Sequence, residues 1–169
     1  MSRILRILRV SGSFERIDKL RRQYDLSHNV ELSQEEDIHT VAGLLKLYLR
    51  LLPQQLVPFS VFRALLKGYT SSMENLERIR NCRIHIFRSA LDELNEANKD
   101  TLRTLLAHLR KIANNSTENK MSAENLSTIF SPTVFCTGNF PFPALPNQAN
   151  FKLIYLKKII FSNMFYLIF

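Results

Sequence analysis

The chain has 169 residues, of which 46% are apolar, and it carries a formal net charge of +8. This composition excludes a disordered polar chain, and the positive charge indicates an anionic partner such as nucleic acid, an anionic membrane or a phosphate-bearing protein. The four glycines and two cysteines disfavour a turn-rich β architecture, exclude a disulfide framework and favour a reducing, intracellular compartment.

The N-terminal segment combines arginines with apolar residues and then turns into a helix. Residues 1–9 read MSRILRILR, which predicts a short strand or an extended arm, and Gly12 predicts a tight turn. Ser13 is a good N-cap for the following helix, and the polar residues 25–36 predict a loop. The apolar residues expected on the inner face of this helix are Phe14, Ile17, Leu20 and Tyr24.

The stretch from Val41 to Phe59 predicts the central helix of the fold. Its apolar residues recur at the spacing of one helical face: Val41, Leu44, Leu45, Tyr48, Leu49 and Leu52. Asp37, or a capping box of Ser33 and Glu36, would start this helix, and Pro53 would end it. Lys46 and Arg50 lie one turn apart on one flank, where the pattern alone fits either a solvated basic surface or a surface that binds an anion.

Further helical patterns follow to about residue 134, which makes the predicted class an all-α bundle of about seven helices. After Pro58, a short helix is expected to end at Gly68, and a long helix is expected from about Met73 to Leu94. The next two helices are expected to start at Asn95 and Ser122, the second of them ending at Pro132, with His108 predicted as a partly buried packing residue.

The last 19 residues, FKLIYLKKIIFSNMFYLIF, differ in composition from the rest of the chain. All their residue types can be written with AT-rich codons, which suggests a non-homologous end such as read-through past an exon boundary. A final core helix is the equal alternative. The apolar run after Lys158 is too short to span a bilayer.

The chain has no residues in the pattern of a self-contained catalytic centre. It contains no glycine-rich phosphate loop, its four histidines lack zinc-binding spacing, and no serine sits in a nucleophile-elbow pattern. The sequence therefore predicts no metal site and no nucleotide cofactor of its own.

Four segments, in order, resemble the blocks of the Rho-family GTPase-activating (RhoGAP) domain. LRVSG at 8–12 resembles its arginine-finger loop, and HTVAGLLKLYLRLLPQQLVPF at 39–59 resembles its central helix and the following turn. The segments LDELNEANKDTLRTLLAHLRKIA and NKMSAENLSTIFSPTVF resemble the next two blocks. Because the order and spacing also fit, the resemblance over roughly residues 6–136 is much stronger than any single segment.

The resemblance implies a regulator that completes the active site of a Rho-type GTPase rather than an enzyme in its own right. Arg9 matches the arginine finger, and Ser11 and Gly12 would shape its turn. Lys46 and Arg50 would hold this loop and meet the switch region of the GTPase. The implied partner is a GTP-bound GTPase of the Rho, Rac or Cdc42 type, which carries the GTP and Mg²⁺; no nucleic acid is expected.

Two more positions take their roles from the resemblance. Asn125 would hydrogen-bond at the finger site, and Pro132 would close the helix behind it. The same resemblance implies a cytoplasmic protein that its partner recruits to the inner face of the plasma membrane.

Departures from the family pattern leave other readings open. The chain resembles a domain truncated at both ends, with residues 1–140 forming a RhoGAP-like domain without its first helices and residues 141–169 a divergent apolar tail. The turn at residues 51–56 lacks two acidic groups and one proline of the family pattern. The alternatives are a GTPase-binding module with weak or lost activation, and a basic protein that binds nucleic acid or anionic membranes.

Overall fold

Seven α-helices make up most of the computed structural model, which describes residues 8–27, 29–70 and 76–135 together with Phe161 and Met164. They are α1 (Phe14–Ser27), α2 (Ile38–Leu51), α3 (Phe59–Thr70), α4 (Leu76–Asp92), α5 (Glu96–Asn114), α6 (Ser116–Asn119) and α7 (Ala123–Val134). A 3₁₀ turn spans Leu32–Gln34 between α1 and α2. The described residues contain no β-strand, only an isolated bridge between Val57 and Phe135, so the predicted all-α class is confirmed.

Short polar side chains start the helices as predicted. Asp37 accepts a hydrogen bond from the N–H of His39 at 3.0 Å and caps α2. The capping box proposed at Ser33 does not form, because Ser33 lies in the 3₁₀ turn and donates to Glu31. Asn95 caps α5 and Ser122 caps α7, each accepting from the N–H three residues on. These caps satisfy N–H groups that have no partner inside their helices.

The core is formed where α3 packs on α4 and where α7 packs on both α2 and α5. Phe135 directly follows α7, and its ring centroid lies 5.0 Å from that of Phe62 in α3. The N–H of Val57 donates to the carbonyl of Val134 at 3.0 Å and ties the turn after α2 to the end of α7. These contacts fix the C-terminal end of α2 in the core, so that α2 is a rigid support for whatever lies along its exposed side.

Phe161 and Met164 belong to the same core. Both are helical and fully buried, and the ring of Phe161 meets that of Phe135 edge-on at 5.9 Å. Residues three apart lie on one helix face, so these two positions fit the final core helix that was the alternative for the tail. The remaining tail lies outside the described residues, and the division at residue 140 stays a prediction.

Several helix ends differ from the sequence prediction: α1 continues to Ser27, into the predicted loop, and α4 ends at Asp92 instead of Leu94. Helix α7 continues through Pro132 to Val134, and α3 continues through Gly68 to Thr70. Pro132 removes one backbone hydrogen bond, but its neighbours Ser131 and Thr133 are buried. Tertiary packing therefore holds this last turn in helical form in spite of the proline.

Three side chains predicted to pack inward are exposed. Phe14 is 83% exposed, Tyr48 is 59% exposed, and His108 also lies at the surface. Ile17 and Leu20 do face inward on α1, as predicted. The periodicity of apolar residues thus identified the helices. It did not show how much of each helix face the neighbouring helices cover.

Some predictions fall outside the described residues. The strand or arm expected over residues 1–9 lies mostly there, as does the start of a long helix at Met73; α4 is described from Leu76. Within the described part of the chain, no helix is long and apolar enough to cross a membrane.

Candidate functional site

The segment at residues 8–13, here called the finger loop, runs along the N-terminal half of α2. Leu8 is buried, with 3% of its surface exposed, whereas Arg9, Val10 and Ser11 are exposed. Leu8 has φ 72°, a left-handed conformation that is unfavourable for a bulky residue and persists only where surrounding contacts enforce it. The buried leucine therefore anchors the loop and turns Arg9 outward.

Lys46 of α2 holds the finger loop from the side. Its Nζ donates a hydrogen bond of 2.8 Å to the carbonyl of Leu8, the residue directly before Arg9. Burial lowers the pKa of Lys46 below its usual value, and the nearby charge of Arg50 lowers it further. The ammonium hydrogen bond satisfies a loop carbonyl and compensates part of the cost of burying the lysine.

Gly12 brings the other end of the finger loop against the first turn of α2. A Cβ atom at this position would lie 2.3 Å from the backbone nitrogen of Thr40 and 2.6 Å from the carbonyl carbon of His39. Only glycine allows two backbones to approach this closely. The end of the loop is thus in direct backbone contact with α2.

A short hydrogen-bond chain fixes the same end of the loop. The N–H of Ser13 donates to Oγ1 of Thr40 at 3.1 Å, and this hydroxyl donates to Oδ2 of Asp37 at 2.7 Å. The bond from Thr40 is the largest cause that lowers the pKa of the Asp37 carboxyl, against an opposing effect of burial. Thr40 is fully buried, so its hydroxyl depends on these two partners.

Arg9 and Arg50 present their guanidinium groups to solvent beside this anchored loop. Both are exposed, and within the described residues no hydrogen bond or ion pair engages Arg9. Arg50 lies one turn beyond Lys46, and its charge acts on Lys46. The site therefore places two exposed arginines next to a lysine that binds the loop, an arrangement suited to an anionic ligand.

The two predicted residues of α7 are placed differently. Asn125 lies in the first turn of α7, which packs against α2, and its Nδ2 donates to the carbonyl of Lys120 at 3.2 Å. No hydrogen bond described in the structure joins Asn125 to the finger loop. Pro132 lies inside the last turn of α7, which continues to Val134, so the prediction that this proline ends the helix is wrong.

A family model described as the RhoGAP domain matches residues 3–139. The chain belongs to the RhoGAP domain family. The predicted resemblance is thereby confirmed over most of the chain. Within the RhoGAP segment that the structure describes, no group of three or more histidine, cysteine, aspartate or glutamate side chains is arranged to hold a metal ion.

Several relatives contain a segment similar to this RhoGAP domain. The WW domain-containing protein tag-325 of Caenorhabditis elegans is 39% identical over 133 residues, which are 79% of this chain and 15% of that protein. Rho GTPase-activating protein gacY of Dictyostelium discoideum is 37% identical over 128 residues, or 76% of this chain and 17% of that protein. Rho GTPase-activating protein 35 of Mus musculus is 32% identical over 129 residues, or 76% of this chain and 8% of that protein. The chain thus spans less than a fifth of the length of these relatives.

Two solved structures are similar to the RhoGAP fold described above. The crystal structure of human Rho GTPase activating protein 15 matches with a TM-score of 0.83 and 30% identity, covering 96% of this chain and 72% of that chain. The BH domain from GRAF, the GTPase regulator associated with focal adhesion kinase, matches with a TM-score of 0.78 and 27% identity, covering 96% of this chain and 81% of that chain. Both matches support the helical architecture.

The candidate site also depends on residues that the sequence prediction did not include. Thr40 and Asp37 bind the end of the finger loop, although only the helix cap at Asp37 was predicted. The available signal was a threonine three residues after an N-cap aspartate, where its hydroxyl can reach the carboxylate. Nothing local indicated that Ser13, 27 residues earlier, would use the same hydroxyl.

Replacing Thr40 by valine is expected to lower the free energy of unfolding by about 1–3 kcal/mol, because the N–H of Ser13 loses its acceptor and Asp37 loses a donor. The matched control is Thr101→Val in α5, where the hydroxyl bonds only to the carbonyl of Ala97 in its own helix at 2.7 Å. The control should change stability by no more than about 0.5 kcal/mol. Urea unfolding of both variants measures the difference, and equal losses would contradict the anchoring role of Thr40.

Proposed function

We propose that this chain accelerates GTP hydrolysis by a Rho-type small GTPase, inserting Arg9 into the partner's nucleotide site. The chain would complete the active site of the GTPase without binding a nucleotide or metal itself, since the GTP and Mg²⁺ come with the partner. It would act in the cytoplasm and reach the inner face of the plasma membrane through that partner. Membership of the RhoGAP family and the GTPase-activating relatives support this proposal.

The observation that carries the proposal is the hydrogen bond by which Lys46 supports the finger loop, here called the brace. Lys46 holds the carbonyl of Leu8 at 2.8 Å, while Arg9, the next residue, is exposed. A loop that is already ordered loses less conformational entropy on binding than an unsupported one. The brace therefore favours an activator over the alternative of a binding module that cannot deliver its arginine.

The chemistry required of Arg9 is electrostatic. GTP hydrolysis develops negative charge around the γ-phosphoryl group, and a guanidinium placed there stabilises the transition state more than the ground state. Such a finger raises the rate by about 10³–10⁵-fold, which corresponds to roughly 4–7 kcal/mol of barrier. Arginine suits this role because it stays charged and offers a planar set of donors to phosphate oxygens.

Lys46 and Arg50 would position the finger loop and attract the GTPase, and neither would act on the reacting phosphoryl group. Lys46 holds the loop from behind, and the exposed Arg50 would face the switch region of the GTPase beside it. Asn125 remains a proposed hydrogen-bond partner in the complex, because α7 packs against α2 and its amide could reach the partner after docking.

Single-turnover GTP hydrolysis tests the proposal directly. Rho-, Rac- and Cdc42-type GTPases loaded with GTP should hydrolyse it faster when the chain is added, while a small GTPase outside this group serves as control. Binding to the GTP-bound form without acceleration would select the binding-module alternative. No binding and no acceleration with any member would refute the proposal.

A further inference from the structure

The outward side of α1 carries the two most exposed large apolar side chains among the described residues. Phe14, the first residue of the helix, is 83% exposed, and Leu26, near its end, is 85% exposed. The other side of α1 packs on α2, where the side chain of Ile17 lies against Gly43. A single exposed apolar residue is normal on a protein surface, so what matters is how these two are placed relative to their neighbours on the helix.

Phe14 and Leu26 are the two ends of one row of side chains, here called the α1 ridge. Residues four apart form a continuous ridge on a helix surface, and this ridge extends about 18 Å along the helix axis. Its members, in order, are Phe14, Asp18, Arg22 and Leu26. A second row runs beside it, and the two rows line a surface cavity of about 430 Å³. A ridge with a groove at its side is the shape into which a second helix packs.

The middle of the α1 ridge is charged and can change partners at little cost. Arg22 donates to Asp18 over 2.8 Å, with 70% and 28% of the two side chains exposed. Exposed ion pairs between residues four apart contribute little to stability. Asp18 also binds Arg21 at 3.0 Å, so the carboxylate keeps a partner on its own helix when Arg22 turns to another molecule.

The order of side chains along the α1 ridge is complementary to its own reverse. From its first residue the ridge reads apolar, acidic, basic, apolar, and from its last residue it reads apolar, basic, acidic, apolar. In an antiparallel pair centred on Leu20, Phe14 of each copy meets Leu26 of the other. Asp18 of each copy then meets Arg22 of the other. Every contact occurs twice, as a two-fold symmetric interface requires.

We propose that the α1 ridge binds the same ridge of a second copy of this chain in antiparallel orientation. The ridge has one acidic and one basic residue, so it offers no net charge to an anionic surface, whereas it matches a second copy in both charge and apolar contacts. The inference does not depend on the proposed function, because no residue of the finger loop takes part. One pair of helices buries less than the roughly 1,200 Å² of a stable interface, so we expect a weak dimer with a Kd of about 10–100 µM.

Two single charge reversals test the pairing directly. Asp18→Arg makes both central positions of the ridge basic, and Arg22→Asp makes both acidic, so each variant alone places like charges opposite each other. Each should dimerise about 10-fold or more weakly than the parent chain, because the unfavourable contact occurs twice. An equimolar mixture of the two variants restores opposite charges at both contacts and should form dimers as strongly as the parent chain. Sedimentation equilibrium from about 5 to 500 µM, a range that brackets the expected Kd, measures all four samples.

The apolar ends of the ridge are tested by Phe14→Ala/Leu26→Ala, which should weaken the dimer about 100-fold or more, since buried apolar anchors dominate binding at interfaces. Its matched control is Tyr48→Ala/Leu51→Ala on α2, two side chains that are 59% and 60% exposed. This control should leave the dimer unchanged.

The matched control for charge uses the exposed ion pair of α5, in which Arg103 and Asp100 are 2.8 Å apart. Asp100→Arg and Arg103→Asp should each leave the dimer unchanged. All the substituted positions lie on helix surfaces, and circular dichroism checks that the variants fold.

Each outcome decides the inference. Dimers restored in the mixture, with unchanged controls, would support the antiparallel pairing. A parent chain that stays monomeric over the whole range would overturn it, and so would a dimer that the ridge variants do not weaken. A mixture that fails to recover would show that Asp18 and Arg22 do not meet across the interface. If the ridge variants instead weaken binding of a monomeric chain to a GTPase, the ridge faces that partner and the inference is refuted.

Discussion

Replacing Arg9 by alanine is expected to lower the plateau rate of GTP hydrolysis that the chain stimulates in the GTPase by about 10³-fold or more, the size of effect that an arginine supplied in trans provides. Arg9 is exposed and makes no hydrogen bond or ion pair with the described residues, so its removal should leave the fold intact. Most of the binding should remain, because the exposed Arg50 and the rest of the proposed docking surface are unchanged. The measurement is the single-turnover rate at saturating chain concentration.

Two variants control for charge. Arg9→Lys keeps the positive charge but loses the planar set of donors, so most of the acceleration should still be lost. Arg88→Ala removes an exposed arginine of α4 and should leave the plateau rate unchanged. Equal plateau rates for Arg9→Ala and Arg88→Ala would show that Arg9 is not the finger.

The sequence correctly predicted features that depend only on a residue and its near neighbours in the chain, such as helix caps. Asn95 and Ser122 cap their helices with their own side chains, and Pro53 follows the end of α2 as expected. The positions of Phe14 and Tyr48 could not be predicted in this way, because exposure depends on where a neighbouring helix ends. Periodicity shows which residues share a face and leaves open whether anything covers it.

The finger loop shows the same limit. Its sequence indicated a turn at Gly12 and, through the family resemblance, a role for Lys46. The left-handed conformation of Leu8 and the bond from Ser13 to Thr40 arise from contacts between segments 27 to 38 residues apart in the chain. No pattern within one segment encodes such contacts. The family resemblance therefore indicated Arg9 as a finger, whereas the contacts that anchor its loop are found only in the structure.

Replacing Gly12 by alanine is expected to reduce the plateau rate by about 10²-fold or more, because a displacement of about 1 Å at a catalytic group costs that much. The added Cβ would overlap the backbone of Thr40 at 2.3 Å and 2.4 Å. Backbone atoms in a capped helix turn cannot rotate away as a side chain can. The finger loop must therefore move off α2, which strains the anchors at Leu8 and Ser13 and misplaces Arg9.

Gly43→Ala is the matched control for this effect. Its Cβ would come within 2.5 Å of Cδ1 of Ile17, the free end of a side chain that can adopt another rotamer. Alanine also favours the helix by about 1 kcal/mol relative to glycine, which offsets part of the repacking. The plateau rate of Gly43→Ala should therefore stay within about 3-fold of the parent chain, a loss of less than about 0.7 kcal/mol. If both glycine variants reduce the plateau rate equally, the contact between the finger loop and α2 does not position Arg9, and the brace from Lys46 alone must do so.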